Sequence, residues 1–134
     1  MINKGFDFSF SGLKTSVLYY VQERGDEFVK ENLNDICASI SAAITDVLVA
    51  KLKRAAKKTG VKSILLAGGV SANSMLREKT EKMAKSMNLE LYIPRLEYCT
   101  DNAAMIAMTG YLKADRDEFD DLAMKPFVRY EFDF

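Results

Sequence analysis

Histidine is absent from this chain. Without it the chain cannot by itself build a histidine-ligated metal site, a Ser-His-Asp triad or a Cys-His dyad. Cysteine is scarce: Cys37 and Cys99 stand far apart with no Cys-x-x-Cys spacing. That excludes a disulfide framework and a zinc ribbon, and makes reduced thiols in the cytoplasm the expectation. Neither sign of charge prevails, because 19 basic and 19 acidic side chains leave a formal net charge of zero. Zero net charge argues against a general binder of nucleic acid or membrane surfaces and leaves room for a local basic patch. No charged leader followed by an apolar stretch comes after Met1, so no signal peptide is expected. The longest nearly uncharged run, Ile36 to Ala50, is rich in Ala, Ser and Thr and carries Asp46. It reads as too short and too polar to span a bilayer, and no membrane partner is expected.

What remains is ordinary for a soluble α/β protein. With 134 residues, 49% hydrophobic and 28% charged, the chain is neither disordered nor fibrous and is long enough for one core. Residues 1–134 therefore read as a single domain. Phe6, Phe8 and Phe10 alternate with polar residues, which predicts a short strand. Ser11-Gly12 opens a helix to about Gln22, with Ser11 as its cap. After Gly25 and a short helix near Asn32, Asn34 or Asp35 opens a long helix to about Lys58. Its stripe Ile36, Ile40, Ile44, Val47, Leu48, Leu52 and Ala55 can lie on a sheet. Thr59-Gly60 stops it. Ser63 to Ala67 reads as a buried strand, Ser71 to Met87 as an amphipathic helix and Leu89 to Ile93 as a second strand. Thr100 or Asp101 starts a last helix to about Ala114, apolar nearly all round and so expected to be buried on more than one side. Asp115 to Asp121 is acidic and solvated, and the tail 115–134 is otherwise unassigned. The strand-helix-strand order predicts a parallel βαβ unit. Two confident strands are a thin sheet for so many helices. Another chain completes it, or it belongs to a larger fold.

In an open α/β sheet ligands gather at the carboxyl ends of the strands. Two loops lie there, Ala67 to Asn73 and Pro94 to Asn102. Gly68-Gly69 permits positive φ and close approach of a ligand, and the helix start beyond it suits a phosphate. Asn73 can donate to or accept from a ribose or phosphate. The same residues also make a plain strand-to-helix turn capped by Ser71, and the local pattern leaves both readings open. Asp101 is either a first-turn carboxylate that steadies its helix or a cleft ligand for metal or substrate. With no histidine at hand the local pattern favours the first. Ser11 to Thr15 is not a Walker A loop, since Leu13 separates Gly12 from Lys14. Lys51, Lys53, Arg54, Lys57, Lys58 and Lys62 form a basic cluster that reads as a solvated helix end, with an RNA phosphate contact as the alternative.

Three blocks occur in order: Phe8-Ser9-Phe10-Ser11-Gly12-Leu13-Lys14-Thr15; Ala67-Gly68-Gly69-Val70-Ser71-Ala72-Asn73 with Leu76-Arg77; and Cys99-Thr100-Asp101-Asn102-Ala103-Ala104-Met105-Ile106-Ala107. Together they resemble the C-terminal part of the TsaD family, the tRNA threonylcarbamoyladenosine transferases once called O-sialoglycoprotein endopeptidases. The resemblance covers roughly Phe6 to Ala114. It implies part of one ribonuclease-H-like half of an actin/Hsp70/sugar-kinase type of fold. It also implies transfer of threonylcarbamoyl from threonylcarbamoyl-adenylate to N6 of the tRNA adenosine next to the anticodon. On that resemblance Asn73, Gly68 and Gly69 bind the substrate adenylate, and Asp101 is a ligand of a divalent metal, iron or zinc. The partners implied are tRNA and the accessory subunits of the transfer complex.

The family's metal site also uses two histidines four residues apart, and its fold has an N-terminal half; this chain has neither. It is therefore expected to be a C-terminal segment that contains no complete catalytic centre, is inactive alone, binds metal weakly and self-associates through its open sheet edge. The alternatives are a non-catalytic interaction module that keeps a nucleotide loop, and a relative of sugar or acetate kinases.

Overall fold

The computed structural model describes residues 6–125. Their order is α1 (Ser11–Arg24), α2 (Asp26–Glu31), α3 (Leu33–Thr59), β1 (Ser63–Leu65), a 3-10 turn (Gly69–Ala72), α4 (Ser74–Ser86), β2 (Glu90–Tyr92), a second 3-10 turn (Leu96–Tyr98) and α5 (Ala103–Ala114). The chain divides into two compact units, the break falling between Thr100 and Asp101.

In the first unit β1 and β2 pair in parallel, Ile64 opposite Leu91. The helix-rich α/β class and the parallel βαβ unit expected from the sequence are both present, with each strand three residues long. Backbone bonds from Glu90 N to Lys62 O and from Leu66 N to Tyr92 O extend the ladder at either end. Ile64 is buried, and Met83, Ala84 and Ala56 join it in a core flanked by Val49, Leu52, Met87, Leu89 and Leu91. α3 and α4 thus cover one face of the sheet. The other face is open, Leu65 being 68% exposed, so β1 is buried on one side only and not throughout. Alternation of side chains along a strand decides this: a covered face takes every second residue.

Local signals explain the helix ends. Gly60 takes a left-handed conformation after α3 and returns its N–H to Ala56 O. α4 ends with Asn88 at φ 54°, Asn88 N bonded to Lys85 O and Leu89 N to Ala84 O, a Schellman closure that also turns Leu89 into the core. Lys79 pins α4 to α3, its Nζ donating to Asp46 Oδ1 at 2.6 Å and Thr45 Oγ1 at 2.9 Å.

Four expectations need correction. Phe6 to Phe10 is not a strand. It finds no sheet edge; instead Lys51 Nζ donates to Asp7 O and lies 5.3 Å from the Phe8 ring centre, while Lys58 sits 4.9 Å from that of Phe6. Those aromatic faces are spent on cations of α3. It follows that Lys51, only 6% exposed, is not part of a solvated helix end. Ser11 is the first residue of α1 and not its cap, and the Phe10 position carries no side-chain cap bond. Finally, the run from Ile36 to Ala50 lies inside a 27-residue helix that is long and apolar enough to cross a membrane. Length and apolarity alone therefore do not dismiss a span. α3 is held to α4 by the Lys79 bonds, and its Thr45, Lys51 and Ala56 are buried, while most of its apolar window is not covered by the described residues.

The second unit is α5 and the turns after it. None of the α5 residues is buried, and Ile106 and Met108 are largely exposed. The expectation of a helix buried on more than one side is not met among the described residues, none of which in its own unit covers those faces. Asp115 to Asp121 is solvent-exposed as expected. Beyond Lys125 the aromatic tail lies outside the described residues.

Candidate functional site

The loop after β1 is built by backbone geometry. Gly68 has φ +81° and ψ 172°, a region open essentially to glycine alone. A Cβ placed there, or on Gly69, meets nothing within 4 Å, so the loop presents an open surface. The chain then makes a 3-10 turn, with Ser71 N donating to Gly68 O at 2.9 Å and Asn73 N to Val70 O at 3.0 Å. The first amides of that turn, Gly69 and Val70, have no acceptor within it.

Asn73 ends the turn and starts α4. Its Oδ1 accepts the Leu76 N–H at 2.9 Å, the bond that defines a helix cap. The cap is therefore Asn73 and not Ser71, whose buried hydroxyl has no partner among the described residues. With Oδ1 engaged in the cap, the amide nitrogen of exposed Asn73 is its unused donor among the described residues, and it can donate to a phosphate or ribose oxygen.

The loop after β2 leads through the Leu96–Tyr98 turn to Cys99, which is 3% exposed. Both Cys37 and Cys99 are free thiols. Asp101 opens the second unit. Asn102 caps α5, Oδ1 accepting Met105 N at 2.9 Å, and the first turn of α5 holds no acidic residue. Asp101 is thus one position too early to do the capping that the local pattern favoured. Its carboxylate is exposed, outside the helix and not consumed by it.

Gly68, Gly69 and Asn73 are accordingly brought together on one loop, and Asp101 stands in the other unit. Among the described residues no three His, Cys, Asp or Glu side chains cluster to hold a metal ion. A lone carboxylate does not make a site for an ion that takes four or more ligands, so this chain by itself does not fit a bound metal. Sequence reasoning overlooked the reach of Arg77: its Nε donates to Ser71 O at 2.5 Å and its Nη2 to Pro94 O at 2.8 Å and Cys99 Sγ at 3.1 Å. An arginine four residues beyond the cap, on the same helix face, was the available signal.

A family model described as "TsaD: tRNA N6-adenosine threonylcarbamoyltransferase" matches residues 1–108. Among similar proteins, each named tRNA N6-adenosine threonylcarbamoyltransferase, that of Riemerella anatipestifer is 48% identical over 131 residues, covering 96% of this chain and 38% of the relative. That of Chloroherpeton thalassium is 57% identical over 110 residues, covering 82% of this chain and 31% of the relative. That of Thermosipho africanus is 52% identical over 113 residues, 83% of this chain and 33% of the relative. The chain thus spans about a third, 31–38%, of the length of these curated relatives. With the glycine loop, its asparagine and the match over most of the sequence in place, the chain belongs to the TsaD family.

Proposed function

We propose that this chain is the C-terminal portion of a larger tRNA-modifying transferase of the ribonuclease-H-like, actin/Hsp70/sugar-kinase fold. Its glycine loop receives threonylcarbamoyl-adenylate, and the acyl group passes to N6 of the tRNA adenosine beside the anticodon. The observation that carries this reading is the loop: Gly68 at φ +81°, the amides of Gly69 and Val70 with no acceptor in their 3-10 turn, and the Asn73 amide donor not used by the helix cap. In the transfer a bond forms between N6 and the carbamoyl carbon, the bond from that carbon to the phosphate oxygen breaks to release AMP, and N6 gives its proton to water. Negative charge grows on the departing adenylate phosphate. Donors aimed at that oxygen are worth most when they are fixed before the reaction. The backbone amides are fixed by the 3-10 turn, and the Asn73 nitrogen is fixed because its oxygen is tied to Leu76.

Asp101, on the same reading, supplies one oxygen to a divalent iron or zinc whose other ligands come from outside this chain. No chemical step is drawn through that ion. tRNA and accessory subunits are the macromolecular partners, the cytoplasm is the compartment, and the chain alone is inactive and self-associating. In the full-length protein, given threonylcarbamoyl-adenylate and tRNA, Asn73→Ala and Asp101→Ala each lower transfer by about 100-fold. Undiminished turnover by both variants would contradict the proposal.

A further inference from the structure

We propose that Arg77 is a positioning residue that locks the loop after β1 to the loop after β2, and so sets the attitude of Asn73 relative to the segment that runs through Cys99 and Thr100. The sheet cannot do this. Its last rung is Leu66 N to Tyr92 O, and among the described residues no backbone hydrogen bond joins 67–73 to 93–99. Arg77 spans the gap from α4. It holds Ser71 O on one loop, and Pro94 O and Cys99 Sγ on the other.

The choice of partners is informative. Arg77 is half-buried and no carboxylate of the described residues lies within ion-pair distance of it. Its donors go to two main-chain carbonyls and one buried thiol, groups that belong to the fold of the loops and not to a surface ion pair. A planar fork with fixed donor directions can satisfy acceptors on two separate segments at once, whereas a lysine ammonium of equal charge on a flexible stem cannot hold that geometry. The base of the side chain is itself fixed, since Leu76 and Thr80 on either side of it are buried. Arg77 meets the Gly68–Asn73 loop at the Ser71 carbonyl and not at the glycine amides or the Asn73 side chain. It acts through Ser71, two residues before Asn73, and through Cys99, two residues before Asp101 in the chain.

The consequence for transfer rests on the function proposed above; the coupling of the two loops does not. Both are tested in the full-length protein with Arg77→Lys and, as a milder break of the same junction, Cys99→Ala. Hydrogen exchange reads the junction directly. In Arg77→Lys the amides of residues 69–73 and 96–100 are expected to exchange together about 10-fold faster, with α3 unchanged, and in Cys99→Ala about 3-fold faster over the same two segments. Transfer by Arg77→Lys is expected to show kcat lowered about 10-fold with the folded fraction intact by circular dichroism. Acceleration in one loop alone, or in neither, would overturn the positioning role, as would a transfer loss that merely tracks the unfolded fraction. A wild-type protein that transfers nothing would instead refute the proposed function, and the exchange result would then decide the role of Arg77 without it.

Discussion

Asn73 serves two purposes with one side chain, and they separate by atom. Its oxygen caps α4 through Leu76 N, and its nitrogen is left for a ligand. Asn73→Asp keeps the acceptor and removes the donor. It should leave unfolding in urea within about 0.5 kcal/mol of wild type while abolishing transfer, whereas Asn73→Ala should also lose about 1 kcal/mol of stability. An aspartate variant that still transfers would show that the nitrogen does nothing. The sequence made this residue legible as a candidate but placed the cap at Ser71. The inserted 3-10 turn uses up Gly69 to Ala72 before the α-helix begins, and no periodicity announces a single tight turn. Asp101 was misplaced by the same small margin: Ser, Thr, Asp and Asn all cap helices well, so a Thr-Asp-Asn run does not say which of the three will do so. The structure gives the task to Asn102.

At the scale of elements, the pattern of apolar residues located α1, α3, α4 and both strands, because helix and strand periods are set by backbone geometry, while α2 was read only from the break at Gly25. The aromatic alternation of Phe6 to Phe10 misled because period two is only half of what a strand needs; the other half is a partner edge, and here lysines of α3 claim the rings. The Asn88-Leu89 closure of α4 was readable in principle, since a left-handed Asn followed by an apolar residue is its signature. α4 also carries a titratable element of its own. The Lys82 ammonium, bonded to Glu78 one turn earlier, holds the Glu78 carboxyl below its usual value of 4.5. A carboxylate with a depressed folded value stabilises above its unfolded value and loses that contribution as pH falls through the folded one. Lys82→Gln should therefore be slightly less stable than wild type at neutral pH, and the two should converge as pH drops below 4.5. Both groups are exposed, so high salt should shrink the difference as well. A gap that persists unchanged at acid pH would contradict the ion-pair account.

The whole molecule is where the sequence was least informative. The length allows one core, yet the buried cluster is confined to α3, β1 and α4, and large apolar side chains on α1, α5 and the open face of the sheet stay exposed. An apolar helix face is encoded locally, but the surface that covers it is encoded elsewhere. α5 shows the distinction plainly: its sequence demands cover that the described residues of its own unit do not provide. Such surfaces and two open strand edges should make the isolated chain associate, so light scattering should report a mass that rises with concentration, and a constant monomer mass would refute this. The central claim, however, is that the loop from Gly68 to Asn73 receives the adenylate, and it is most directly tested by titrating AMP into the isotope-labelled full-length protein while following amide resonances. Saturable shifts are predicted at Gly68, Gly69, Val70 and the Asn73 side-chain amide, lost in Asn73→Ala at the same AMP concentration. Saturable binding that leaves that loop unperturbed and moves resonances elsewhere would contradict the account.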